Sequence, residues 1–169
     1  MFQPMFRAIL LNSRNVADSL MTPSISAMTL GDVLTIGEIE RRNYPVPWTD
    51  GIFRDCVKAG YKGMVMRGTK TIVGYAMLQI GYRESHLLNL CIDAQYQGRG
   101  YARVFLQHIE KVSIAEGAEM MFLEVRPSNP RARKLYELNG FNEISVRKDY
   151  YDTLTGREDA VVMAKALVA

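Results

Sequence analysis

One short stretch limits what this chain can become: Gln97-Gly98-Arg99-Gly100-Tyr101-Ala102, set between an apolar run at 87–92 and a helical run at 103–116. The apolar run reads as a strand and the second run as a helix with one apolar face, carried by Val104, Phe105, Ile109 and Val112. Glycine at 98 and 100 permits conformations closed to other residues and leaves no Cβ between the backbone and a ligand. A helix starting here exposes N–H groups that have no partner inside the helix, at the positive end of its dipole. Strand, glycine turn and helix start together form a cradle suited to phosphate. The same hexamer also suits an ordinary helix start with glycines for the turn, so the elements around it have to decide.

Those elements follow from periodicity and capping. Thr29 reads as the N-cap of a helix whose apolar face holds Leu30, Val33, Leu34, Ile36 and Ile39 and which fails at Tyr44, because Pro45 and Pro47 follow. Thr49 caps a second helix closing at Gly60, and Asn129 or Ser128 caps another over 130–139 that stops at Gly140. Strands are expected at 24–29, 62–67, 71–82, 87–92, 120–125, 141–148 and 160–166, with 149–159 as a linking loop. The run 120–125 is nearly all apolar, as in a strand covered on both faces. The resulting order, β-α-α-β-β-β-α-β-α-β-β, predicts an α/β fold of the mixed α+β kind. Its centre is a mixed, mostly antiparallel sheet of about seven strands flanked by four helices. It argues against a dinucleotide-binding Rossmann domain: Arg103 falls where the third glycine would stand, and repeated β-α-β units are missing.

Composition narrows the function classes. A chain of 169 residues, 48% hydrophobic and 23% charged, suits one soluble globular domain. A net charge of +3 is too mild to argue for direct nucleic-acid binding. The two cysteines, Cys56 and Cys91, make neither a disulfide framework nor a metal-site spacing, and no metal is expected; a reducing cytoplasm fits them. Cys91 reads as an inert apolar residue, and His86 and His108 have no triad or metal spacing. The apolar run 6–11 is far shorter than the ~20 residues that span a bilayer. Residues 1–23 read as a flexible N-terminal extension, and 24–169 as the domain.

Several separated segments now acquire a common meaning. They are Pro47-Trp48-Thr49, the stretch 92–102, the stretch 123–129, Leu135-Tyr136-Glu137 with Gly140-Phe141, and the pair Tyr150-Tyr151 followed by 156–160. With the element order, they resemble the Gcn5-related N-acetyltransferases (GNAT) over roughly residues 24–167. Within that superfamily they are most similar to the RimI family, the bacterial ribosomal-protein-alanine N-acetyltransferases. Gln97, where arginine is frequent, and Ala102, where glycine is frequent, stay within the family pattern.

The resemblance implies a cytoplasmic enzyme that moves an acetyl group from acetyl-CoA to the N-terminal alanine of a small-subunit ribosomal protein. It gives Glu124 the role of general base and Tyr136 that of general acid for the departing thiolate, with a backbone N–H near Ile92 for the oxyanion. It sets Leu90, Cys91 and Ile92 beside the pantetheine, and the turn Gln97, Gly98, Arg99, Gly100, Tyr101, Ala102 and Arg103 around the pyrophosphate. Asn129 and Tyr136 contact the cofactor, while Trp48, Tyr150 and Tyr151 wall the acceptor. On the residues alone, Glu124 reads as an edge-of-strand glutamate paired with Arg126 or another base, Tyr136 as a core aromatic and Trp48 as a core anchor. An α-amino group, with a pKa of about 7.7–8.0, needs less help from a base than lysine at about 10.4. Other acceptors on the same fold (a lysine side chain, a polyamine, an antibiotic amine) and a non-catalytic acyl-CoA sensor are the alternatives.

Overall fold

A computed structural model of the protein describes residues 23–69 and 71–167; nearly all of the expected N-terminal extension lies outside the described residues. The chain opens with β1 (Ser24–Ala27), a 3-10 turn (Leu30–Asp32) and α1 (Val33–Asn43). Asp32 starts that helix by accepting from the backbone N and the hydroxyl of Thr29 at 2.8 and 2.9 Å, and Arg67 pins the carboxylate to the sheet at 2.8 Å. The Pro45–Pro47 loop ends α1 at Tyr44, and Thr49 caps α2 (Asp50–Lys58) by accepting from the Ile52 N–H. Then come β2 (Lys62–Arg67), β3 (Ile72–Gly81), β4 (Glu84–Ile92), α3 (Tyr101–Ala115), β5 (Met120–Val125), α4 (Pro130–Leu138), β6 (Asn142–Thr153) and β7 (Gly156–Ala166).

The strands form one sheet ordered β1-β2-β3-β4-β5-β7-β6, antiparallel throughout except where β4 meets β5. That parallel contact follows from α3, which returns the chain across the sheet as a crossover must. The helices divide between the two faces. Phe105, Leu106 and Ile109 of α3 pack with Tyr136 of α4 on Met121, Leu123 and Val125. Val33, Ile36 and Ile39 of α1 pack with Phe53 of α2 on Val65, Tyr75 and Cys91. Each fully buried aromatic, such as Phe53 or Phe105, contributes about 1.5–3 kcal/mol through the apolar surface it removes from water.

Two irregularities prepare the site. In β4, Leu87 stands opposite Leu78 and Asn89 opposite Met77, so Leu88 is an extra residue that bulges the strand. Pairing of β4 with β5 then stops at Leu87 and Leu123, although both strands continue. The two strands part, and Asn89 to Ile92 keep a strand partner only on the β3 side.

Two expectations need correcting. The segment 149–159 is not a loop: β6 runs to Thr153 and β7 begins at Gly156, forming a hairpin with a register shift between Arg147 and Tyr151. Because β6 is an edge strand with side chains exposed on both faces, its sequence lacks the alternation that marks a strand. Nor is β5 buried on both faces. Met121, Leu123 and Val125 are buried, while Met120, Phe122 and Glu124 alternate with them and are half-buried.

Candidate active site

The parting of β4 and β5 opens a cavity of about 520 Å³ on the α3–α4 side of the sheet. After Ile92, a 3-10 turn (Ala94–Tyr96) leads to Gln97, and Gly98 and Gly100 follow with φ of 80° and 81°. These left-handed positions bend the chain so that α3 starts at the cavity wall, with Gly100 at the N-cap and no side chain covering the first turn. Gln97 secures the turn from three sides. Its amide donates to the Ile92 carbonyl at 2.9 Å and to Asn43 at 3.2 Å, while Arg131 donates to its Oε1 at 3.0 Å. Arg42 on α1 holds Asp93, just before the turn, at 2.6 Å. Leu90, Ile92, Gln97, Gly98, Gly100, Tyr101, Ala102, Arg103, Asn129 and Tyr136 all line the cavity.

Two expected residues do not. The Arg99 guanidinium turns back onto the Gln95 carbonyl at 3.3 Å and the Tyr96 ring, and Arg99 does not line the cavity. The Cys91 side chain faces the α1–α2 core, because it alternates with Leu90 and Ile92 along the strand. Burial pushes its thiol up to about 12, which keeps it protonated and non-nucleophilic. Arg131 and Lys134 of α4 add cationic lining that the sequence reading missed, although their spacing along one helix face was available in it.

On the α1–α2 side, a second pocket of about 150 Å³ adjoins the first, and both are lined by Tyr44, Leu90, Asn129, Ala132 and Tyr136. Of the two pockets Glu124 lines only this second one, and along β5 it alternates with Leu123 and Val125, which pack into the opposite core. It is ion-paired with Arg147 of β6 at 3.2 Å; Arg126, the partner expected from sequence proximity, instead binds Glu158 at 3.2 Å. Trp48 lines the pocket and also packs on Phe53 at 5.4 Å, so it is both wall and core anchor. Tyr151 lines the pocket under the Arg126 guanidinium, 4.1 Å from its ring centre. Tyr150 does not line it. Neighbouring strand residues point to opposite faces, and Tyr150 is 43% exposed, stacked edge-on against Tyr151.

Tyr136 sits where the pockets meet, 7% exposed and edge-on to Phe141. Burial holds its phenol well above the usual tyrosine range, so it stays protonated at neutral pH. Burial does the same to Tyr151, with the Glu124 charge adding to it. The sequence reading missed three more wall residues, Tyr44, Glu40 and Asn89. His86 stacks on Phe122 outside both pockets, and among the described residues no group of His, Cys, Asp and Glu is arranged to hold a metal. No helix among the described residues is long and apolar enough to cross a membrane.

A mixed sheet whose two central strands part over a glycine turn and helix start is the architecture of an acyl-CoA-dependent acetyltransferase. The profile of the Acetyltransferase (GNAT) family matches residues 33–141, and the chain belongs to that family, whose members take the acetyl group from acetyl-CoA. Among its relatives is the ribosomal protein bS18-alanine N-acetyltransferase of Escherichia coli, 34% identical over 141 residues, or 83% of this chain and 95% of that one. The Haemophilus influenzae enzyme of the same name is 37% identical over 141 residues, covering 83% and 96%. The crystal structure of the Escherichia coli enzyme superposes with a TM-score of 0.81 at 32% identity, covering 88% of this chain and 96% of its own.

Proposed function

We propose that this protein acetylates the N-terminal alanine of ribosomal protein bS18 in the cytoplasm, by direct transfer from acetyl-CoA. The relatives that span most of its length carry that activity in their names. The observation that bears most weight is the junction of the two cavities at Tyr136, with Glu124 lining only the smaller one. A pocket of about 150 Å³ suits an extended chain end with a small side chain.

The larger cavity would hold acetyl-CoA: backbone N–H groups at 98–103 would take the pyrophosphate, the unpaired edge of β4 at Leu90 to Ile92 would take the pantetheine, and Asn129 and Arg103 would complete the wall. It supplies the activated acetyl thioester. Trp48 and Tyr151 align the acceptor, and Glu124 takes the amine proton, directly or through a water. The amine nitrogen bonds to the acetyl carbon, the C–S bond breaks, Tyr136 gives its proton to the thiolate, and the second proton released by the new amide nitrogen reprotonates Tyr136. A backbone N–H near Ile92 serves the oxyanion. Residues 24–169 form the catalytic domain, with the preceding residues as an extension.

Mass spectrometry of peptides incubated with acetyl-CoA tests this. Alanine-terminated bS18 peptides should be acetylated at the α-amine and N-terminally blocked ones left unmodified. Acetylation confined to lysine in blocked peptides overturns the acceptor assignment. No thioester turnover above background with any amine leaves the chain a non-catalytic binder.

A further inference from the structure

Two carboxylates face the acceptor pocket, and only Glu124 has a role so far. The other, Glu40, lies near the C-terminal end of α1 and is 2% exposed. Its Oε1 accepts the Trp48 backbone N–H at 3.0 Å, its Oε2 accepts the Tyr75 hydroxyl, and the Asn89 side chain bonds the same carboxylate. All three donors are neutral. The arginines nearby are engaged elsewhere: Arg41 with Asp50, Arg42 with Asp93, Arg126 with Glu158 and Arg147 with Glu124. Among the described residues no ion pair includes Glu40.

A buried carboxylate without a cation is expensive, and a protein retains one where a ligand supplies the missing charge. The acceptor of the proposed reaction arrives with that charge, since an α-amino group with a pKa of about 7.7–8.0 is mostly protonated at neutral pH. A carboxylate offers about four acceptor sites, so the three donors fix its orientation and leave capacity for one more. We infer that Glu40 is the counter-charge that recognises the acceptor's α-ammonium, a substrate-binding carboxylate separate from the base Glu124. This rests on the N-terminal acetyltransferase reading above. Glu40 governs docking of the cation, and Glu124 removes the proton that must leave before attack.

The surrounding groups are compatible with that division. Burial raises the Glu40 carboxyl above its usual range, and its hydrogen bonds pull it back. Tyr44, Tyr75 and Cys91 pack around it with pKa values held up by burial, so they stay neutral. Across the pocket stand the Glu124–Arg147 and Arg126–Glu158 pairs, with Tyr136 and Tyr151 protonated between them.

The test is steady-state kinetics of the full chain with acetyl-CoA and an alanine-terminated bS18 peptide. A competing peptide carries propionyl in place of alanyl, lacking only the amino group. Glu40→Gln should raise the acceptor KM about tenfold, the loss of one charge-assisted hydrogen bond, with the acetyl-CoA KM and kcat unchanged. The inhibition constant of the amino-free peptide should be the same for wild type and Glu40→Gln. An unchanged acceptor KM, or equal weakening of both peptides, overturns the inference and leaves Glu40 a prop for Trp48. If Glu40→Gln melts before assay temperature, wild type decides. Its acceptor KM should climb above pH ~8 as the ammonium is lost while the amino-free peptide binds evenly, and a flat KM overturns the inference. A wild type that modifies no alanine-terminated peptide overturns the function itself, and is seen before any variant is compared.

Discussion

The two cavities that meet at Tyr136 are made of different materials. One wall of the larger offers bare backbone: two left-handed glycines, the start of α3 and an unpaired strand edge. The smaller is built from side chains carried by separate segments: Glu40 from α1, Trp48 from the proline loop, Asn89 from β4, Glu124 from β5 and Tyr151 from β6. Backbone recognition suits a cofactor whose pyrophosphate and pantetheine are the same in every turnover. A side-chain constellation suits an acceptor that has to be told apart from other amines, since each wall can be exchanged without disturbing the cofactor cradle.

The most severe test of that separation is Glu124→Gln. If Glu124 is the base, its loss should lower kcat by about a thousandfold, within the range that general acid–base groups supply. Glu124 lines only the smaller pocket, so acetyl-CoA affinity measured by calorimetry should not change. Tyr136→Phe touches both pockets and should cost kcat about a hundredfold, less because a thiolate leaves with little help. If Glu124→Gln weakens acetyl-CoA binding as much as it slows turnover, the two cavities act as one and the comparison fails.

A milder substitution probes the backbone-built side. Gly100 has φ of 81°, and a β-branched residue there costs about 1–2 kcal/mol or distorts the turn. Gly100→Val should therefore raise the acetyl-CoA KM about tenfold while the acceptor KM stays level. A rise in both would mean that the turn also shapes the acceptor pocket, through the Gln97–Asn43 bond to the end of α1.

The same division governs what the sequence could tell. The glycine turn was legible because its chemistry lies in six consecutive residues between a strand and a helix. The helices and the central meander were legible because Thr29, Thr49, Pro45 and Asn129 mark ends that local chemistry enforces. Both closing strands were legible, but their continuation as a hairpin through 149–153 and 156–159 was missed because an exposed edge strand carries no buried-face alternation. Glu40 was missed for a related reason. It stands in Glu38-Ile39-Glu40-Arg41-Arg42, which reads as a solvated helix face, and only packing against Tyr75, thirty-five residues away, reveals it as buried. Likewise Arg126 is near Glu124 in sequence, but the β5–β7–β6 order brings Arg147 to it instead.

The smallest expected effect separates two adjacent tyrosines. Both were expected to wall the acceptor, yet strand geometry brings only one of them to the smaller pocket, and that one is Tyr151. Tyr151→Leu removes the ring that Arg126 covers at 4.1 Å, along with the contact area it would offer the acceptor. A loss of about 0.5–1.5 kcal/mol follows for an aromatic contact of this kind, or roughly a two- to tenfold rise in acceptor KM. Tyr150→Leu trades one exposed side chain for another and should leave acceptor KM, acetyl-CoA KM and kcat as they are. If Tyr150→Leu raises the acceptor KM as much as Tyr151→Leu, the acceptor wall extends along the outer face of β6, and the pocket continues past the hairpin rather than ending at Tyr151.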